Sequence, residues 1–212
     1  MLGTLNFPHS QQVHAPFNSS WVDAHALSLV QPALRPTETC REWLLNIESL
    51  TERLSQQCST FNVNVLGQQP NLSGESVAAD ELALVGHSPA NATQLEIREV
   101  VLQGDKCPWV FARSIFPVAL TQDALHDIGD QPLGKLLFND PRFQRQPFMV
   151  SLMLADNPFV EHLLQQNIIA PLDLQQHLQR HAGIWARRSV FTYLTHHILV
   201  NEVFLPGAPP YA

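Results

Sequence analysis

The stretch Leu95-Glu-Ile-Arg-Glu-Val-Val-Leu102 is followed by Gly104-Asp105 and then by Trp109-Val-Phe-Ala-Arg-Ser-Ile-Phe-Pro-Val118. Both long runs are rich in β-branched and aromatic residues, and the Gly-Asp pair between them is typical of a tight turn. We therefore predict a β-hairpin over residues 95–118. The two strands of a hairpin are antiparallel, so this stretch predicts an antiparallel sheet.

A second hairpin is predicted near the C-terminus, where Ser189–Leu194 and Ile198–Leu205 flank Thr195-His196-His197. A further strand is indicated at Phe61–Val65, because its apolar residues alternate with asparagines. The sequence has no regular alternation of strands and helices. The predicted fold class is therefore α+β, with a single antiparallel β-sheet built from hairpins and covered by helices.

The first strong helix is predicted from Thr39 to Gln57. Thr39 and Glu42 have the spacing of a capping box, in which each side chain binds a free amide at the helix start. Trp43 and Ile47 begin an apolar face at helical spacing. This pattern predicts one continuous helix packed on the sheet.

Shorter helices are predicted further along the chain. Thr121 is expected to cap one that ends at Gly129, and Pro132 to open one through Phe138. The whole of residues 139–183 is predicted to be helical, with one start at Asn157-Pro158 and another helix at Leu172–Gln179.

The composition predicts one folded domain preceded by an arm. The chain has 212 residues, of which 45% are hydrophobic and 15% charged, which is typical of a globular protein. Four prolines within residues 1–36 predict an irregular N-terminal arm. Residues 37–212 are predicted to form the domain, in which 139–180 make a helical insertion or lid.

Charge and hydropathy exclude several classes of partner. The formal net charge is −7 and only two lysines are present, which argues against nucleic acid and anionic membranes. No apolar run approaches the roughly 18 residues of a membrane span, and residues 1–17 do not resemble a secretory signal. We expect a cytoplasmic monomer.

The sequence predicts neither a cofactor nor a metal. It contains no glycine-rich phosphate-binding loop and no Gly-x-Ser-x-Gly motif. Among the ten histidines, His177 and His181 have helical spacing without an acidic residue of the zinc-protease type between them. No set of three or four ligands with metal-binding spacing is found.

Two charged residues lie on predicted strands among apolar neighbours. Arg98 has the strand period of Val100, and Glu202 shares a face with Phe204. A buried charge needs a partner, and a guanidinium matches a carboxylate ligand. Glu202 is placed to transfer a proton or to accept a hydrogen bond from a substrate hydroxyl. The alternative for Arg98 is a structural ion pair with a nearby Glu or Asp. For Glu202 the alternatives are an ion pair with Arg187 or Arg188, or a place at a strand edge that faces water.

Two further segments admit more than one interpretation. Pro132–Lys135 offers main-chain amides that can bind a carboxylate oxygen at a helix start, or is an ordinary turn. Arg187-Arg188 is either a pair of buried clamps or a surface patch, and the residues alone favour the patch.

The order of short motifs along the chain resembles the bacterial chorismate–pyruvate lyase family. No single motif is specific, but together they extend over roughly residues 40 to 212. They are Trp43-Leu44-Leu45, Ser49-Leu50-Thr51, Ile97–Leu102, Pro108-Trp109, Ala112-Arg113, Pro117-Val118, Pro132-Leu133-Gly134, Leu137-Phe138, Gly183-Ile184-Trp185, Arg187-Arg188-Ser189, Glu202–Pro206 and Tyr211.

The resemblance implies a cofactor-free lyase that converts chorismate to 4-hydroxybenzoate and pyruvate for ubiquinone biosynthesis. By position, Arg98 corresponds to the residue that grips the ring carboxylate, and Leu133 to one that supplies a main-chain amide. Leu50 stands where the family has methionine, a change of little consequence if the contribution is through the main chain. Glu202 corresponds to the carboxylate that faces the ring hydroxyl, and with Arg98 it is the predicted catalytic pair. Arg113 is a candidate for the enolpyruvyl carboxylate or a structural residue.

Two other functions stay open at this point. The expected fold also resembles effector-binding domains of bacterial transcription regulators, so Arg98 and Glu202 could hold an aromatic carboxylate without breaking a bond. A related lyase that yields 3-hydroxybenzoate is the other possibility, and product analysis separates it.

Overall fold

The hairpin predicted at residues 95–118 belongs to one antiparallel sheet in a computed structural model of the protein. The structure describes residues 20–71, 76–126, 128 and 131–212. In these residues the strands are β1 (Val22–Asp23), β2 (Phe61–Pro70), β3 (Leu95–Gly104), β4 (Cys107–Pro117), β5 (Phe143–Arg145), β6 (Met149–Met153), β7 (Ile184–Tyr193) and β8 (His196–Phe204). Their order across the sheet is β1-β6-β7-β8-β4-β3-β2, with β5 also paired to β7. The predicted α+β class and both predicted hairpins are confirmed.

Short helices cover both faces of the sheet. The described α-helices are α1 (Glu38–Leu45), α2 (Leu50–Ser55), α3 (Ala79–Leu84), α4 (Leu133–Asn139), α5 (Pro158–Gln165) and α6 (Pro171–Leu178). Turns of 3-10 helix lie at Ala24–Leu29, Pro32–Leu34, Pro89–Gln94, Val118–Gln122 and Pro209–Tyr211. None of the helices in the described part of the chain is long and apolar enough to cross a membrane.

The alternation of side chains along each strand divides the core into two layers. We call the side that carries Arg98 and Val100 the pocket face, and the side that carries Glu99 and Val101 the back face. Helices α1, α2 and α4 pack on the pocket face, where Leu44, Leu54 and Leu137 are buried. Helices α3, α5 and α6 pack on the back face.

The prediction of one helix from Thr39 to Gln57 is wrong, because the chain forms two helices joined by an extended corner. Helix α1 is capped by Thr37, whose Oγ1 accepts from the amide of Cys40 at 3.2 Å. Helix α2 is capped by Ser49, whose Oγ accepts from the amide of Glu52 at 3.4 Å. The apolar period continues through the corner at Ile47, yet that side chain is 70% exposed.

The prediction that residues 139–183 are helical throughout is wrong for its first part. Strands β5 and β6 lie there, and both pair with β7. The partner strand is more than thirty residues away in sequence, so the local pattern carries no sign of the pairing. The later helices are confirmed: α5 begins at Pro158 after its cap Asn157, and α6 spans most of the predicted second helix.

Two further predictions concern the segments between the main elements. Thr121 caps no helix in the structure: its hydroxyl donates to Val118 O at 2.7 Å within a 3-10 turn, and Gly129 lies outside the described residues. The helix predicted to open at Pro132 is confirmed as α4. Residues 20–36 form β1 and two 3-10 turns, while the rest of the predicted arm lies outside the described residues. The division of the chain into an arm and a domain stays a prediction.

Candidate active site

A cavity lies between the pocket face of the sheet and helices α2 and α4. It holds about 50 Å³ of space that the centre of a water molecule can occupy, enough for several waters. The sheet side is lined by Arg98, Val100, Leu102, Ala112, Ser114, Arg187, Ser189, Phe191, Val200 and Glu202. The opposite side is lined by Leu50, Thr51, Pro132, Leu133, Gly134, Leu137 and Phe138, and Arg145 and Phe148 complete the wall. All four predicted site residues, Leu50, Arg98, Leu133 and Glu202, line this cavity.

Arg98 enters the cavity from the middle of β3. Its side chain lies almost entirely out of solvent, with a residue exposure of 2%. One guanidinium nitrogen donates to Gln68 Oε1 at 2.7 Å and another to Gln131 O at 3.1 Å. Gln68 is itself oriented, because its amide donates to Glu96 Oε1 at 2.5 Å. These contacts orient the guanidinium group of Arg98 within the cavity.

Glu202 lies on β8 opposite Arg187 of β7, and the two side chains form an ion pair. Arg187 Nε donates to Glu202 Oε2 at 2.6 Å. The alternative that the sequence left open, a pairing with Arg187, is therefore present in the structure. It does not remove Glu202 from the site, because the carboxylate lines the cavity and its Oε1 accepts no hydrogen bond from a described residue. One oxygen orients the group while the other is available to a ligand.

Arg187 also joins the sheet to the corner between α1 and α2. Its Nη1 donates to Trp43 O at 2.9 Å and to Asn46 O at 3.0 Å. In a continuous helix these carbonyls would accept from amides four residues later. In the structure the buried guanidinium of Arg187, on a remote strand, donates to these carbonyls in place of the helix amides. This accounts for the helix break, which the local sequence does not reveal.

Leu50 and Leu133 are the first residues of α2 and α4. The first amides of an α-helix have no partner within the helix, so both residues bring main-chain donors to the cavity wall. The two helices lie against each other, and a Cβ on Gly134 would be 3.4 Å from Thr51 Oγ1. A Cβ at position 134 would therefore be in van der Waals contact with α2.

The other predicted cations lie on the back face, so Arg113 is not a candidate for binding a ligand in this cavity. Arg113 is fully buried and lies 3.7 Å from Glu99 Oε1. Arg188 Nη1 donates to Asp80 Oδ2 at 2.6 Å. The surface-patch interpretation of Arg187-Arg188 is also wrong, because adjacent residues of a strand point to opposite faces and both are buried.

The back-face charges form a network that α3 completes. Glu81 is fully buried, and burial raises the pKa of its carboxyl while the Arg113 guanidinium opposes the rise. Asn201 Nδ2 donates to Glu81 Oε1 at 3.0 Å, and the amide of Ala78 donates to Glu81 Oε2 at 3.0 Å. The network lies directly beneath the strands that form the cavity floor.

Arg145 is a cavity residue that the sequence analysis missed. It ends β5, pairs in register with Phe191 of β7, and has its guanidinium carbon 4.4 Å from the ring centre of Phe148. Burial lowers the pKa of this guanidinium, the nearby Arg187 acts in the same direction, and the carboxylate of Glu202 opposes both. Arg145 was missed because strand β5 was not predicted: Phe143-Gln144-Arg145 lies in a segment predicted to be helical.

The charge of the cavity is opposite to that of the whole chain. Among the described lining residues three are arginines and one is a glutamate, so their formal sum is +2, against −7 for the chain. No group of three His, Cys, Asp or Glu side chains suited to a metal occurs in the described residues. The fold and the site define a single-sheet α+β domain whose cavity has a charge complementary to a small organic anion.

Comparison with known proteins identifies the family. The chorismate lyase family model matches residues 15–211. A protein of Pseudoalteromonas atlantica named "probable chorismate pyruvate-lyase" is 40% identical, with 83% of this chain and 84% of that protein covered. A protein of Aromatoleum aromaticum with the same name is 35% identical, with 90% and 94% covered. The chain belongs to the chorismate lyase family.

Solved structures give only a distant likeness. The C-terminal domain of the histidine utilization repressor from Pseudomonas syringae pv. tomato matches with a TM-score of 0.46 and 11% identity, covering 70% of this chain and 92% of that one. The effector domain of PhnF from Mycobacterium smegmatis matches with a TM-score of 0.44 and 12% identity, covering 76% and 90%. Scores of this size carry no conclusion about function.

Proposed function

We propose that the protein is a carbon–oxygen lyase that converts chorismate to 4-hydroxybenzoate and pyruvate without a cofactor. The observation that carries this proposal is the set of three arginines and one glutamate around an otherwise largely apolar cavity. Chorismate is a dianion with a ring carboxylate, a hydroxyl at C4 and an enolpyruvyl ether at C3. A cavity with a formal charge of +2 is complementary to it, and relatives that cover most of the chain carry the matching name.

Positioning is the main task in this reaction. The C4 proton leaves, the bond between C3 and the ether oxygen breaks, and the ring becomes aromatic. The released enolpyruvate takes up a proton at its methylene carbon and becomes pyruvate. Aromatisation supplies much of the driving force, so the protein must chiefly hold the ring and stabilise the departing oxygen.

The cavity residues divide these roles between them. Arg98 binds the ring carboxylate through its oriented guanidinium, and the amides of Leu50 and Leu133 add hydrogen bonds to the same end. Glu202 faces the C4 position with Oε1, where it either holds the hydroxyl or takes the C4 proton. Arg187 keeps the carboxylate in place from behind.

The first experiment is to mix the purified protein with chorismate, with a chelator and no added cofactor, and to identify products by chromatography. Equal amounts of 4-hydroxybenzoate and pyruvate are the expected result. Formation of 3-hydroxybenzoate would replace the proposal by a related lyase. Tight binding of 4-hydroxybenzoate without turnover would replace it by a non-catalytic binding domain. Supply of ubiquinone biosynthesis, a monomeric state and a cytoplasmic location stay predictions of the sequence and its resemblance.

A further inference from the structure

The wall of the cavity contains a partly buried arginine, Arg145, whose contacts differ from those of three buried arginines of the sheet. Arg113, Arg187 and Arg188 each form an ion pair with a carboxylate. Arg145 forms none with a described residue; its guanidinium packs on Phe148 at 4.4 Å and Phe138 at 5.5 Å. Arg145 is only partly buried, and its guanidinium lines the cavity without an ion-pair partner among the described residues, so its donors can serve an anionic ligand.

The position of Arg145 is opposite that of Arg98. Strands β3, β4, β8, β7 and β5 are neighbours in this order, with Arg98 on the first and Arg145 on the last. Glu202 lies between them on β8. The two arginines therefore approach the ligand space from its two ends, and a ligand held by both must carry anionic groups at both ends.

Arg145 also separates the cavity from an outer groove. The groove runs along Leu27, Arg41, Leu45 and Pro147, and among the described residues only Arg145 and Phe148 line both this groove and the cavity. An anionic group that reaches the cavity from this groove passes Arg145. The guanidinium of Arg145 therefore lies where the outward-facing end of a bound ligand would be.

We propose that Arg145 binds the carboxylate of the enolpyruvyl group and so distinguishes the dianionic substrate from the monoanionic aromatic product. This inference rests on the proposed function. Arg187 is less suited to the task, because its Nε and Nη1 already donate to Glu202, Trp43 and Asn46. After the ether bond breaks, the carboxylate held by Arg145 leaves with pyruvate, and the ring acid keeps only the contacts at the Arg98 end.

The test compares ligands with one and with two carboxylates. Titrations of the wild-type protein, Arg145→Met and Arg145→Gln use 4-hydroxybenzoate and the stable diacid 3-(carboxymethoxy)-4-hydroxybenzoate. Loss of one charge-assisted contact should raise the Kd of the diacid about 10- to 100-fold. The Kd of 4-hydroxybenzoate should change less than about twofold. With chorismate, KM should rise by a similar factor while kcat stays within about threefold, since the contact is made in ground and transition states alike.

The exposed Arg142 supplies the matched control, because it lies three residues away and pairs with Asp140 outside the cavity. Arg142→Met removes the same charge and should leave both affinities unchanged. Equal losses for the two ligands in Arg145→Met, or no loss for either, would overturn the inference. Failure of both Arg145 variants to fold would also overturn it, because it would assign the residue a structural role. If the wild-type protein makes no product from chorismate, the proposed function fails. If the wild-type protein is active and Arg145→Met has an unchanged KM for chorismate, only this inference fails.

Discussion

The two faces of the sheet carry similar charges and use them differently. On the pocket face, Arg98 and Glu202 are held by neighbours yet line an open space. On the back face, Arg113 and Glu81 are buried in a network that their own neighbours complete. A charged residue on a strand is therefore a ligand-binding candidate only when its face opens on a cavity.

The largest expected effect is on turnover, from a change on the pocket face. Glu202→Gln keeps the shape of the side chain and an acceptor for Arg187, but it removes the negative charge that faces the substrate. We expect kcat to fall about 1000-fold, near 4 kcal/mol of lost transition-state stabilisation. Thermal unfolding should change little. The exposed Glu48→Gln is the control, and near-wild-type turnover in Glu202→Gln would disprove the assigned role.

The next largest effect is on stability, from a change on the back face. Arg113→Met removes the cation that pairs with the buried Glu99 and that opposes the rise of the Glu81 pKa. We expect the free energy of unfolding to fall by about 3 kcal/mol, measured with urea. The kcat/KM of the folded protein should stay within about threefold of wild type.

A second substitution sharpens this test. The double variant Glu99→Gln with Arg113→Met removes both charges, so it should be more stable than Arg113→Met alone. The opposite pattern, a large loss of kcat/KM with unchanged stability, would show that the back face takes part in the reaction and that the comparison of faces is wrong.

The smallest expected effect is on the pH dependence of stability and concerns His177 of α6, which contacts the residue before β7. His177 is buried, its Nε2 lies 2.9 Å from Gly183 O, and burial lowers its pKa from 6.5. The folded state thus resists protonation more than the unfolded state does. Its contribution to stability is complete above pH 6.5 and is lost as the pH falls through that value toward the folded pKa.

Urea midpoints at pH 7.5 and pH 5.5 measure this effect. The wild-type protein should lose stability on acidification, and His177→Gln should lose less, because glutamine can still donate to Gly183 O without titrating. The exposed His25→Gln should behave as the wild type does. An identical loss in His177→Gln and wild type would assign the acid sensitivity to other groups.

The sequence predicts those parts of the fold whose pattern is local. The hairpins and α5 follow from alternation, turn residues and the cap at Asn157. The α1–α2 corner and the strands β5 and β6 do not, because Arg187 and β7, which determine them, are remote in sequence. The positions of Arg98 and Glu202 were predictable from their apolar neighbours. Arg145 was not predicted, because it lies on β5, a strand that the local pattern does not indicate.

The bonds from Arg187 to the carbonyls of Trp43 and Asn46 have a consequence for the speed of the enzyme. They tie one wall of the cavity to its floor, so that wall opens only when several hydrogen bonds of a buried cation break together. Such concerted opening has a large activation enthalpy. Release of the aromatic product through this wall would therefore slow steeply on cooling, and the temperature dependence of turnover would report on the wall rather than on the chemistry.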